Sequence, residues 1–326
     1  MQIIELEKTT MEPDYQPLPI ETLQAIFGDR LQRDIRMARF SSARVGGPVD
    51  FLVISHSAQQ LEADISALWN ADIPFRLLGG ASNVLVSEKG FPGLVLINHA
   101  RAIQFQTRHS TPTIWAESGA LMSVIVQRAA SAGLSGLEWA TALPGTLGGA
   151  VYGNAGAFGS EIGDNLIMAE ILQADQSKEY WSKEDFAFQY RSSALKRSRS
   201  QSTVILSAEL QVQHGEKEAI RQLMATLKGK RETKQPPGAC TGSMFKNPPG
   251  DFAGRLIEAA GLKGTRIGNV EISQKHGNFF INNGQGTAED FLDLIVLTRS
   301  EVLKQFAVDL ELEVELLGNW ETGTNG

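Results

Sequence analysis

The chain has 326 residues, 42% of them hydrophobic and 21% charged, so it can bury more than one core and is not a disordered tract. A formal net charge of −7 excludes a broad nucleic-acid-binding surface, which needs clustered Lys and Arg. The single cysteine, Cys240, excludes an intrachain disulfide and any Cys-x-x-Cys metal or redox motif.

The first residues form a polar lead, 1–22, with acids and prolines where a secretory signal needs a basic start and an apolar run. No apolar run approaches the roughly 20 residues of a membrane helix, so the expected location is the cytoplasm, with no membrane partner. A first lobe is expected over 23–105. Within it Leu61, Ile65 and Leu68 recur at spacings of four and three, predicting a helix over 58–72 with one buried face. Strands are predicted around it at 51–54, 75–78 and 94–97, a βαββ arrangement. Between the last two lies the turn Gly79-Gly80-Ala81-Ser82-Asn83-Val84. Its glycines lack a Cβ, so the chain can bend tightly and bring backbone N–H groups to an anion, while Ser82 and Asn83 add side-chain donors. Glycine turns also simply join strands.

A second lobe is expected over 106–214. It opens with a hairpin-like region at 103–118 and a helix at 121–132, followed by a second small-residue cluster, GLSGLEWATALPGTLGGAVYGNAGAFGSEIG. Gly, Ala and Thr let a backbone approach a flat ligand closely, or let one loop cross close to another. Residues 167–174 and 202–213 alternate in polarity and are expected to pair in one antiparallel sheet. The last region, 215–326, begins with a helix over 216–234 that carries Ile220, Leu223, Met224 and Leu227 on one face and is stopped by Gln235-Pro236-Pro237-Gly238. Helix 253–260 and the polar stretch 261–278 come next, then a long helix whose Thr287 and Asp290 read as a capping box, and a closing strand over 308–316. There is no GxGxxG opening a βαβ unit, no GxxxxGK[ST], no HExxH and no Cys/His metal spacing.

In order, the segments SARVGGPVDF, LLGGASNVLV, GLSGLEWATALPGTLGGAVYGNAGAFG, YRSSALK, GSMFKNPPGDFAGRLIEAAGLKG, EISQKHGNFFIN and LELEVELLG resemble the UDP-N-acetylenolpyruvoylglucosamine reductase family across residues 35–318. The resemblance implies an α+β chain: a vanillyl-alcohol-oxidase-type FAD-binding fold of two lobes plus a C-terminal α+β substrate-binding domain. It implies FAD lined by Gly79, Gly80, Ala81, Ser82, Asn83 and Val84, by Gly145, Thr146, Gly149 and Ala150, and by Arg44 and Gly46 from the neighbouring motif. The implied reaction uses NADPH to reduce FAD, which passes hydride to UDP-N-acetylglucosamine enolpyruvate to give UDP-N-acetylmuramate, a peptidoglycan precursor. A monomer would suffice for it.

The same resemblance assigns Arg191 to the substrate carboxylate and the developing enolate, Ser243 to proton donation, Glu313 to an acidic role beside it and Asn247 to substrate contact. Read without it, Arg191 is a solvated or ion-paired residue and Ser243 a turn residue. Asp309, Glu311, Glu313 and Glu315 alternate with apolar neighbours, so periodicity makes all four a wet face. His276 and Cys240 read as structural. Ala142 and Leu143 stand where the family commonly has Gly and Ile, and Ser41-Ser42 where it has Thr-Ser; neither change should block FAD. No tyrosine follows Tyr190, as in the branch that lacks a tyrosine-bearing substrate flap. The residues gripping UDP are therefore open, with Lys246, Arg255, Lys263 and Arg266 as candidates. Two rivals remain: an FAD-dependent alcohol or sugar oxidase of the same fold, although the GGASN turn has no His or Cys to tether a flavin, and a non-catalytic flavin or nucleotide-sugar binding protein.

Overall fold

The computed structural model describes residues 17–107, 111–198 and 201–320; most of the polar lead and the tip of the predicted hairpin lie outside them. The first sheet has the order Gln32–Arg36, Pro48–Ser55, Phe91–Asn98, Phe75–Leu78. Its outer strand Gln32–Arg36 is antiparallel to Pro48–Ser55, and the other two pairs are parallel. The connecting helix Ala58–Asn70 starts where Ser57 Oγ accepts from the Gln60 N–H at 3.1 Å. Leu61, Ile65 and Leu68 face the sheet as their spacing predicts, in a core that also takes Leu172, Val204 and Leu206 from the second sheet. Asp64 is buried on the same helix but fully paired, with Arg30 forking onto it at 2.8 and 2.6 Å and Ser55 Oγ donating at 2.7 Å.

The second sheet is antiparallel throughout, in the order Lys178–Ser182, Leu166–Gln173, Thr203–Gln211, Thr113–Glu117, Ile103–Gln106. The predicted pairing of 167–174 with 202–213 is its central contact. Helix Met122–Ala132 packs on this sheet and ends at Gly133, which takes the left-handed conformation (φ 75°) that a Cβ would strain. Helix Lys217–Lys234 places Ile220 and Met224 in the same core.

The remaining region has a small sheet, Arg266–Ile267, Val270–Ile272, Phe280–Asn282, with helices Ala253–Ala259 and Ala288–Phe306. The expected capping box is present: Thr287 Oγ1 accepts from Asp290 N–H at 3.1 Å and Asp290 Oδ2 from Thr287 N–H at 3.0 Å. Its core includes Ala43, Val45 and Leu85 from the first lobe.

The closing strand differs from expectation. Only Glu315–Leu317 is strand, and it runs parallel to Val84–Val86, just after the first glycine turn. Upstream, Glu311 O accepts from Lys246 N–H at 2.8 Å and Met244 O from Glu313 N–H at 2.9 Å, with Phe245 opposite Leu312. Two short partners from different regions take up the backbone groups in turn, so the alternating run never faces a single sheet. Among the described residues no helix is long and apolar enough to cross a membrane.

Candidate active site

The two glycine-rich segments lie against each other. A Cβ on Gly79 would run into Thr146 Oγ1, one on Gly80 would sit 3.4 Å from Gly145 Cα, and one on Gly145 would sit 2.8 Å from Ser82 Oγ. Mutual close approach therefore explains the small residues in both. Ala81 (φ 42°) and Gly145 (φ 99°) occupy left-handed backbone at this meeting point. Thr146 Oγ1 accepts from Gly149 N–H at 3.4 Å and starts the short helix Leu147–Gly153, which buries Ala150. Among the described residues Ser82 Oγ has no hydrogen-bond partner. Asn83 is differently placed: its Nδ2 donates to Glu313 O at 2.9 Å and its carbonyl accepts from Glu315 N–H at 2.9 Å. One hydrogen of its side-chain amide is thus committed to the C-terminal segment. Both polar backbone groups of Gly46 are also engaged, the N–H by Glu88 Oε1 at 3.1 Å and the carbonyl by Ala38 N–H at 3.1 Å. Arg44 is exposed nearby at φ 58°.

Arg191 sits in a two-residue turn closed by reciprocal Gln189–Ser192 bonds of 3.0 Å, with its own backbone at φ 54°. Buried Asn154 anchors that turn to the second glycine-rich segment, donating to Gln189 O at 3.0 Å and accepting from Gly163 N–H at 3.3 Å. Arg191 Nε lies 2.8 Å from Glu313 Oε1. The Nε–H does not line up with that oxygen, so the contact is an ion pair rather than a well-formed hydrogen bond, and the Nε atom is buried beneath it. Glu313 is 17% exposed, against 57% for Asp309 and 68% for Glu311. The run that periodicity left undivided is thereby divided. Burial pushes the Glu313 carboxyl up, and Arg191, then Lys196 and Lys246, draw it back.

Ser243 is half-buried and directly precedes Met244, whose carbonyl accepts from Glu313 N–H, so the two residues sit on adjacent antiparallel backbones. Asn247 is exposed; its N–H donates to Tyr190 Oη at 3.4 Å and its Oδ1 accepts from Ala253 N–H at 3.1 Å. Arg191, Ser243, Glu313 and Asn247 thus converge from three separate stretches of chain. The hydroxyls of Thr141, within the second glycine-rich segment, and of Thr241, two residues before Ser243, are also buried without partners.

The four cations considered for a nucleotide all have internal partners: Lys246 with Glu311, Arg255 with Asp251, Lys263 with Glu258 at 3.1 Å, and Arg266 with Asn269 at 2.8 Å. Arg231, which sequence reasoning passed over, donates its Nε–H to Gln235 Oε1 at 2.7 Å and has no carboxylate partner among the described residues. It is half-buried; burial lowers its basicity, Cys240 offsets that, and Arg191 repels it. A signal existed. The apolar stripe Ile220, Met224, Leu227 continues by four residues to Arg231, a charge on a buried face. His276 is structural, its Nδ1 accepting from Asn278 N–H at 3.1 Å and its ring edge-on to Phe279.

Residues 49–177 match the family model described as an FAD binding domain, and residues 233–317 match the C-terminal domain of UDP-N-acetylenolpyruvoylglucosamine reductase. A relative bearing that enzyme's name from Chloroflexus aurantiacus is 40% identical over 291 residues, 88% of this chain and 97% of the relative. The chain belongs to the UDP-N-acetylenolpyruvoylglucosamine reductase family. Another member, from Rubrobacter xylanophilus, is 40% identical across 91% of this chain and 98% of its own. The crystal structure of the reductase from Thermus caldophilus superposes with a TM-score of 0.75 at 34% identity, covering 88% of this chain and 99% of that one. The fold is accordingly the α+β one expected, an FAD-binding region of the vanillyl-alcohol-oxidase type followed by the family's C-terminal domain.

The residues present fit FAD. The Cβ-free surface where Gly79 and Gly80 meet Gly145 lies within the matched FAD-binding region, as do the unpartnered hydroxyls of Ser82 and buried Thr141. Gly46, whose N–H is engaged by Glu88, can contribute there through its lack of a side chain or the second lone pair of its carbonyl.

Proposed function

We propose that the chain reduces UDP-N-acetylglucosamine enolpyruvate to UDP-N-acetylmuramate, with NADPH as the reductant, as a cytoplasmic step in peptidoglycan precursor synthesis. The observation that carries this reading is the convergence of the Arg191–Glu313 ion pair on Ser243, Glu313 lying on a backbone bonded to the residue after that serine. FAD, which would be held by Gly79, Gly80, Ala81, Ser82, Asn83 and Val84 against Gly145, Thr146, Gly149 and Ala150, with Arg44 and Gly46 alongside, supplies hydride-transfer chemistry when bound.

The chain's own groups supply the rest. Arg191 presents a planar guanidinium to the substrate carboxylate; reduction at the terminal alkene carbon leaves negative charge on the adjacent carbon, delocalised into that carboxylate, where a fixed cation lowers its energy. Ser243 delivers a proton to the adjacent carbon, and Glu313 orients the guanidinium and the hydroxyl. Asn247, whose N–H donates to Tyr190 Oη, contacts substrate, and Arg231, bonded to Gln235 but to no carboxylate among the described residues, offers its charge to the anionic portion. The same reading makes 23–105 and 106–214 the flavin lobes and 215–326 the substrate domain.

The test is anaerobic. NADPH should bleach the yellow protein, and the enolpyruvyl nucleotide alone should restore the oxidised-flavin absorbance. Restoration by oxygen only, with turnover of free alcohols or sugars, would overturn the proposal in favour of an oxidase.

A further inference from the structure

The short helix Leu147–Gly153 runs between the two halves of the site. It starts from Thr146, which meets Gly79 in the glycine cradle, and ends at Asn154, roughly 12 Å further on at 1.5 Å per residue. Asn154 stands at φ 46° and ψ 58°, the left-handed conformation that closes many helices and that Gly adopts more readily than Asn. The cap alone does not explain its side chain, which is 1% exposed and bonded at both polar ends. Nδ2 donates to Gln189 O at 3.0 Å and Oδ1 accepts from Gly163 N–H at 3.3 Å. Gln189 O also accepts from Ser192 N–H, so one carbonyl both closes the turn that carries Arg191 and fastens that turn to the helix. A second bond holds the other flank: Ser193, fully buried, donates its hydroxyl to Tyr152 O at 2.7 Å. The turn has a physical need for this clamp. Arg191 lies at φ 54°, which a residue other than Gly keeps only where its surroundings enforce it, and the direction of its guanidinium towards Glu313 follows from that backbone.

We propose that Asn154 is a positioning residue for the reaction, acting through Arg191 by tying its turn to the helix that begins in the flavin cradle, without touching substrate. This rests on the function proposed above. One short rigid element then sets the distance between the flavin and the guanidinium, because the residues at its start line the cradle and the residue at its end holds the turn. A reacting group displaced by about 1 Å can lose about 10²-fold in rate, so a single buried bond suffices to matter.

The experiment uses FAD-loaded enzyme reduced anaerobically with NADPH and follows its single-turnover reoxidation by the enolpyruvyl nucleotide. The variants are N154G, S193A and R191A, with the doubles N154G/R191A and S193A/R191A. Glycine keeps the left-handed cap of the helix and deletes only the side chain. N154G should reoxidise roughly 10- to 100-fold more slowly than wild type, while it retains its flavin and NADPH still bleaches it. In the R191A background the same change should cost less than about threefold, because the group it positions is gone. S193A should follow the same pattern with a smaller loss, and it carries the test if N154G does not fold. A loss of equal size with and without Arg191 marks a merely structural bond and overturns the proposal. Reoxidation of N154G at the wild-type rate overturns it as well. Failure of the enolpyruvyl nucleotide to reoxidise the wild-type enzyme would instead overturn the functional reading itself.

Discussion

Replacing Arg191 by Ala tests the site most directly. The 189–192 turn and the Glu313 ion pair hold the Arg191 guanidinium in place before substrate arrives, so a substrate carboxylate would meet a preorganised cation. Deleting one such group costs about 2.7–4 kcal/mol of transition-state stabilisation. The side chain is 26% exposed, so solvent screens part of its charge and the low end applies. A loss of about 3 kcal/mol corresponds to roughly a 10²-fold fall in rate. Backbone strain does not confound the comparison: at φ 54°, Arg, Lys and Ala all carry the same unfavourable Cβ. R191K keeps the charge but not the fork and should fall between wild type and R191A. R191A also removes the first of the cations that hold the Glu313 carboxyl down, so that group should titrate higher still. The assay is a single-turnover reoxidation of reduced enzyme by the enolpyruvyl nucleotide, with flavin content measured in each variant. A rate for R191A within a factor of about three of wild type, at equal flavin content, would refute the reasoning.

Ser243→Ala should slow the same half-reaction by about 10²- to 10⁴-fold while NADPH still reduces the flavin, and an undiminished reoxidation rate would remove Ser243 from proton transfer. Gly79→Ala places a Cβ on Thr146 Oγ1 and should yield protein that binds FAD poorly, measured by flavin fluorescence on titration. Its control, Gly229→Ala, lies in open space within the helix Lys217–Lys234 and should leave FAD binding intact while stabilising the fold by about 0.5–1 kcal/mol; equal flavin affinity in both variants would sink the cradle argument. Thr287→Ala breaks the capping box of helix Ala288–Phe306 and should cost about 1 kcal/mol in denaturant unfolding, with no change in flavin content.

The helices were legible because their information is local. Leu61, Ile65 and Leu68 carry the 3.6-residue period within one segment, and Thr287 with Asp290 writes a cap within four residues. Family membership was legible too, through motifs in order, and with it the expected residues of the site. The division of labour among four acids at 309–315 was not: identical alternation gives identical expectations, and only the turn bearing Arg191 selects Glu313. Asn83 reads as a free donor in its glycine turn, yet its amide meets a carbonyl 230 positions away. Arg231 stands on the buried stripe of its helix by spacing, but that it meets a glutamine and no carboxylate among the described residues is decided only by packing. The sequence by itself settled the longer helices, the turns with room for no side chain and the family the chain joins, because spacing and residue size act over a few neighbours, while short helices such as Leu147–Gly153 and Ala194–Ser198 went unread. Only tertiary structure settled which partner each polar group meets, because that depends on what distant backbone arrives beside them.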